Sequence, residues 1–175
     1  VIDITPGVTR QYVTFRVADL LLGVSVSKVQ EVIRYQEMTV VPLAHSIVEG
    51  LINLRGQIVI AIDTRRSLGL PPSSSPEPPM NIVLHAPDGA VSLLVDEIHD
   101  VARIPISTCA AVPENMPARQ RAMFQCVYDL PEGLMMALDT DYLLEIASQA
   151  TLAFPSDSAE VNNLRAVDSR RPSHA

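Results

Sequence analysis

Apolar residues along this chain come in short bursts separated by polar turns, a spacing that predicts strands more often than helices. In residues 11–17, QYVTFRV, Val13, Phe15 and Val17 recur at every second position, the period of a half-buried strand. Residues 20–26, LLLGVSV, predict a second strand after an Ala18-Asp19 turn. Ser27 then reads as a helix N-cap. Gln30 completes an S-x-x-Q capping box, and Val29, Val32 and Ile33 follow at helical spacing. Glu31 would lie in the first turns of that helix, where the backbone dipole favours a carboxylate. Met38 to Val41 predict another strand closed by Pro42, and residues 43–49 read as irregular or a short helix.

The most informative stretch is residues 50–70, GLINLRGQIVIAIDTRRSLGL. Ile58 to Ile62 form an unbroken apolar run between Gly56 and Asp63, which fits a strand buried on both faces. Arg55 stands on the turn that opens that strand. Its guanidinium keeps its proton, so it is either solvated or satisfied by several acceptors.

Residues 71–79, PPSSSPEPP, hold five prolines and three serines in nine residues and read as a linker. Beyond it, MNIVLHA and AVSLLVD flank Pro87-Asp88-Gly89, and FQCVYDL and GLMMALD flank Pro131-Glu132-Gly133. Both patterns predict hairpins. Residues 96–104 read as a helical turn or a bent strand, and 113–123 as a polar loop. Asp139 is a plausible N-cap for a helix over residues 140–149, and residues 150–175 form a polar tail expected to be disordered.

Two segments repeat. VSVSKVQEVIR (24–34) lies on LLVDEIHDVAR (93–103) at an offset of 69, apolar on apolar and ending in Arg both times. QIVIAIDTRRSL (57–68) lies on GLMMALDTDYLL (133–144) at an offset of 76, pairing Ala61, Asp63 and Thr64 with Ala137, Asp139 and Thr140. Matched segments in the same order suggest two copies of one small β unit. These would form two barrels, roughly residues 11–70 and 80–140, sharing an apolar interface because neither buries enough surface alone.

Composition narrows the function. Hydrophobic residues make up 47% of the 175 and aromatics 4%, so a sizeable core must be largely aliphatic. A net charge of −7 argues against nucleic acid or an anionic membrane surface as the main partner. No apolar run approaches the 18 or so residues of a membrane span, and VIDITPG lacks a secretory layout, so a cytoplasmic location is expected. Cys109 and Cys126 lack metal-ligand neighbours. Two buried free thiols are a simpler reading than a disulfide. No nucleophile elbow, phosphate loop or HExxH is present. His99, near Asp96 and Asp100, reads as a solvated residue on a charged turn rather than a base. The classes left are a protein-interaction module and a small enzyme without recognisable motifs.

From Gln11 to about Gln149 the chain resembles CheW, the coupling protein family of bacterial chemosensory arrays. The resemblance rests on YVTFRV, VSVSKVQEVIRYQEMTVVP, GLINLRGQIVIAID with LGLP after it, and LLVDEIHDVARI. It implies a mainly β fold of two interlocked, five-stranded SH3-like barrels with short helices, the last of which packs back on barrel one. It implies no catalysis, cofactor or metal. The implied partners are the cytoplasmic tip of chemoreceptors, the regulatory domain of the histidine kinase CheA, and other CheW-like proteins in rings. Carried over by motif, Val29 and Glu31 fall where coupling mutations of the family cluster. Gly50, Asn53, Arg55 and Gly56 belong to the G-x-x-N-L-R-G block, with Arg55 the functional arginine. Val95, Asp96 and Val101 form the matching edge of the second barrel, where an apolar groove takes a receptor helix.

Each position also has a plain structural reading. Val29 and Val101 fit a core, Gly50 and Gly56 a backbone requirement, and Glu31 a first-turn carboxylate. Thr64 stands where the family usually has Leu. That departure, with the long linker and the tail, leaves open a pilus or other chemosensory pathway, or a piece of a larger CheV- or CheA-type protein.

Overall fold

The computed structural model describes residues 7–87 and 89–152, with side chains described to residue 149. Ten strands run in chain order: β1 (Thr9–Val17), β2 (Leu20–Ser25), β3 (Val29–Ile33), β4 (Val48–Leu54), β5 (Gln57–Asp63), β6 (Met80–Ala86), β7 (Gly89–Val95), β8 (Glu97–Pro105), β9 (Phe124–Leu130) and β10 (Gly133–Leu138). Among the described residues three α-helices accompany them: α1 (Thr64–Ser67), α2 (Ala118–Arg121) and α3 (Thr140–Leu152). The fold is mainly β, as expected.

The strands form two five-stranded sheets, in the orders β8-β1-β2-β10-β9 and β3-β6-β7-β5-β4. The internal repeat is borne out strand by strand. The first three strands of each copy match at the offset of 69, the last two at 76, and the two sheet orders are the same under that exchange. Each sheet even contains one parallel pair at the equivalent place, β2 with β10 and β7 with β5.

The copies are exchanged between the sheets, and here the contiguous division into residues 11–70 and 80–140 needs correction. One sheet takes β1 and β2 from the first copy and β8, β9 and β10 from the second; the other sheet takes the complement. After β2 the chain crosses to the opposite sheet through a 3-10 turn at Val26–Lys28, and after β7 it crosses back. Neither half of the sequence completes a sheet by itself.

That crossing also overturns the helix expected from Ser27. Residues 29–33 are strand β3, with Val29 opposite Leu84 and Val32 opposite Ile82. β-branched residues favour the pleated surface once a partner strand is available. The Ser27 hydroxyl meets the Ser25 hydroxyl at 2.9 Å. Residues 38–41 contribute a single bridge, Thr39 to Leu51. Residues 97–105 take the bent-strand alternative, with a register shift between Val13 and Phe15 on the partner.

Three apolar clusters stabilise the fold. The main one lies between the sheets and includes Phe15, Leu22, Ile62, Ile82, Leu93 and Leu138. Helix α3 joins it through Leu143 and Ala147, starting at Asp139, whose carboxylate accepts from the Tyr142 amide at 3.0 Å. A smaller cluster on each sheet takes side chains from the opposite face. Tyr12, Ile104, Tyr128 and Met135 form one, and Ile52, Val59, Val83 and Ala90 the other. Strands such as β1 and β5 therefore bury side chains on both faces, although within IVIAI it is Val59, Ala61 and Ile62 that are buried while Ile58 is exposed.

Candidate functional site

The turn between β4 and β5 carries the most exposed of the expected site residues. Leu54 pairs with Gln57, so Arg55 and Gly56 alone make the loop. Both have positive φ, +52° and +90°, the pattern of a type I′ hairpin turn. Asn53 secures it by accepting the Gly56 amide on its side-chain oxygen at 2.8 Å. The turn projects the Arg55 side chain 84% exposed, and its Nη2 donates to Glu31 Oε2 at 3.0 Å. Glu31 stands on β3 and Arg55 at the tip of β4, the two outer strands of one sheet. The ion pair thus joins opposite edges.

The other expected residues divide. Val29 sits beside Glu31 on β3, half-buried against the main core. Gly50 is a backbone requirement: a Cβ there would lie 2.7 Å from the Thr39 carbonyl oxygen. Val95 is inside the main core. Asp96 is a fastener. Arg65 of α1 grips it in two-point fashion, Nε to Oδ1 at 2.9 Å and Nη2 to Oδ2 at 2.5 Å, and the Ala18 amide donates to Oδ2 at 2.6 Å. The hydrogen bond to Asp96 holds Arg65 still more firmly in its charged form, with its pKa raised. Val101 is 54% exposed on the outer strand β8. Glu31, Asn53, Arg55 and Gly56 thus form one surface with Val29 beneath it, and Val101 lies on the other sheet.

Sequence reading of the site passed over a pattern in the exposed apolar residues. Val32 and Val101 are equivalent at the offset of 69, Ile58 and Leu134 at 76, and all four are exposed, by 40, 54, 58 and 63%. The two repeat alignments already place these residues opposite one another. Only burial shows that they face outward. The charged pair has no counterpart, since Arg55 aligns with Pro131.

A concavity of about 780 Å³ opens between α3 and the β6–β7 hairpin, lined by Lys28, Ile60, His85, Val91, Asp141 and Leu144. Lys28 and Asp141 pair across its rim at 2.7 Å. Among the described residues no three His, Cys, Asp or Glu side chains converge as metal ligands, and no helix is long and apolar enough to cross a membrane. His99 approaches Glu97 at 3.7 Å on the exposed face of β8.

Two exchanged β sheets with exposed apolar residues repeated on both define a duplicated β module. The model of the CheW-like domain matches residues 11–148, and the chain belongs to that family. Among its relatives, the chemotaxis protein CheW of Bacillus subtilis is 26% identical over 133 residues, covering 76% of this chain and 85% of the relative. The chemotaxis protein CheW of Rhizobium meliloti is 28% identical over 151 residues, covering 86% and 91%. The crystal structure of the scaffolding protein TtCheW from Thermoanaerobacter tengcongensis superposes with a TM-score of 0.68 at 23% identity, over 75% of this chain and 85% of that one. The family resemblance is borne out, and so is a mainly β fold of two five-stranded sheets with a few short helices.

Proposed function

We propose that this protein is a non-catalytic chemosensory adaptor that couples the cytoplasmic tips of chemoreceptors to the histidine kinase CheA. The observation that carries the reading is the duplicated apolar surface. Val32 and Ile58 are exposed on one sheet and their equivalents Val101 and Leu134 on the other, so one chain offers related apolar residues twice. A molecule with two such sets can hold two neighbours at once, and contacts weak by themselves gain strength through multivalency. The Glu31–Arg55 pair marks one face with charge and distinguishes it from the other. Receptor helices would lay apolar side chains against this surface, while CheA and further CheW-like chains close rings. The protein would act in the cytoplasm, recruited to membrane-associated receptor arrays.

The test is reconstitution with a cognate kinase and receptor signalling fragments, read by co-sedimentation and kinase autophosphorylation. Saturable recruitment with receptor-dependent stimulation is expected. Arg55→Glu should keep its circular dichroism spectrum and lose the stimulation. Binding to neither kinase nor receptor would overturn the coupling role.

A further inference from the structure

Cys109 and Cys126 belong to none of the surfaces above. Cys109 follows a 3-10 turn, Ile106–Thr108, at the end of β8, with its amide bonded to the Ile106 carbonyl at 3.1 Å. The next residue, Ala110, makes a two-bond antiparallel bridge with Val127 of β9, at 2.8 and 2.9 Å in the two directions. That bridge brings the backbone of Cys109 beside the strand that carries Cys126. Both side chains pack into the same small core with Tyr12, Ile104, Tyr128 and Met135. With Ala110 opposite Val127, Cys109 and Cys126 take diagonal positions across the bridge, and the Cys109 sulfur lies 4.0 Å from the Ala110 carbonyl oxygen. Both thiols are free, Cys109 half-buried and Cys126 buried.

We propose that Cys109 and Cys126 are a peroxide-responsive dithiol that closes to an intrachain disulfide, stapling the end of β8 to the outer edge of β9. Two cysteines on diagonal positions of one bridge and in one apolar cluster can close to the bond length of about 2.0 Å by side-chain rotation and adjustment of the segment after β8. Their unequal exposure assigns the order of events. The Cys109 thiolate, reachable from solvent, attacks a peroxide oxygen; the O–O bond breaks, leaving Cys109 as a sulfenic acid and hydroxide, which takes up the proton the thiol had given up and leaves as water. The Cys126 sulfur then attacks the Cys109 sulfur. The S–O bond breaks, and the departing hydroxide takes the Cys126 proton as a second water. The two thiols together lose two electrons and the peroxide gains them. A thiol reductant reverses the closure by exchange.

Burial, helped by the neighbouring Cys109 thiol, holds the Cys126 thiol up at about 12, so it is protonated at neutral pH. It therefore waits for an oxidised neighbour instead of reacting first. The second step should accelerate with pH, because the attacking thiolate fraction grows about tenfold per unit below that value.

The test treats the full chain with hydrogen peroxide, denatures it, alkylates with iodoacetamide and weighs it intact. Expected is a monomer about 2 Da lighter than the reduced chain, carrying no alkyl groups and restored by dithiothreitol. Peptide mapping should join Cys109 to Cys126. Cys109→Ser, a change at the half-buried position, should leave Cys126 fully alkylatable at the same dose. A chain about 32 Da heavier, with Cys109 a sulfinic acid and Cys126 still reduced, would overturn the proposal. So would exclusively intermolecular dimers, or two unmodified thiols at doses that oxidise free cysteine.

Discussion

Two arginines ten positions apart do opposite work, and the difference lies wholly in their surroundings. Arg55 is 84% exposed, and an ion pair of that kind is worth at most about 1 kcal/mol. Arg55→Ala should therefore leave the urea midpoint nearly unchanged. Arg65 is 17% exposed, and its carboxylate partner Asp96 also receives a backbone amide. Arg65→Ala would strand that half-buried charge and should lower stability by about 2–3 kcal/mol in urea denaturation. Chain order hid this contrast because Asp96 arrives 31 residues after Arg65. The Arg55 turn was legible for the opposite reason: Asn53, Arg55 and Gly56 are neighbours in sequence. Cys126 adds a pH effect. Its thiol rises from an ordinary value of 9.0 to about 12 in the folded chain, so the unfolded chain ionises first. Its contribution to stability is complete below pH 9.0 and is lost as pH climbs towards about 12. Cys126→Ala should flatten that alkaline decline in chemical denaturation followed by circular dichroism.

Among elements, the hairpins were readable because a two-residue turn and its flanking strands form a local unit. Leu130 pairs with Gly133, and Ala86 with Gly89, where the sequence placed the turns; Asp88 itself lies outside the described residues, as does the expected tail beyond 152. Strand β3 was misread because its partner β6 lies some fifty residues away, whereas a capping box is judged from four neighbouring residues. The repeat held the corrective signal, since residues 24–34 align with the 93–103 segment that also carries a bent strand. The same alignment supports a prediction at this scale. Val32→Asp and Val101→Asp should each weaken recruitment into a reconstituted array without altering the circular dichroism spectrum. The double variant should abolish co-sedimentation. Full recruitment of the double variant would mean that these outer strands face solvent only.

Over the whole molecule the exchange of strands dominates. Strands β1 and β2 are paired to β8 and β10, across the linker in sequence, and the main core draws on both sheets. If a protease site is placed at residues 73–76 and cut, the two pieces should remain one species on gel filtration. Each piece separated in denaturant should fail to refold alone and recover its circular dichroism spectrum on mixing. The linker was recognisable from its prolines, but no local pattern in a sequence reveals which sheet a strand will join.

The exchanged sheets also bear on ancestry. One copy of the repeat has five strands yet completes no sheet, so a gene encoding a single copy would have produced a chain able to fold only by trading strands with its twin. The present polypeptide has the arrangement that fusing two such subunits head to tail would give, with residues 71–79 at the seam. Such a fusion would release the halves from identity, and the two copies do differ at this turn, with arginine at Arg55 and proline at Pro131.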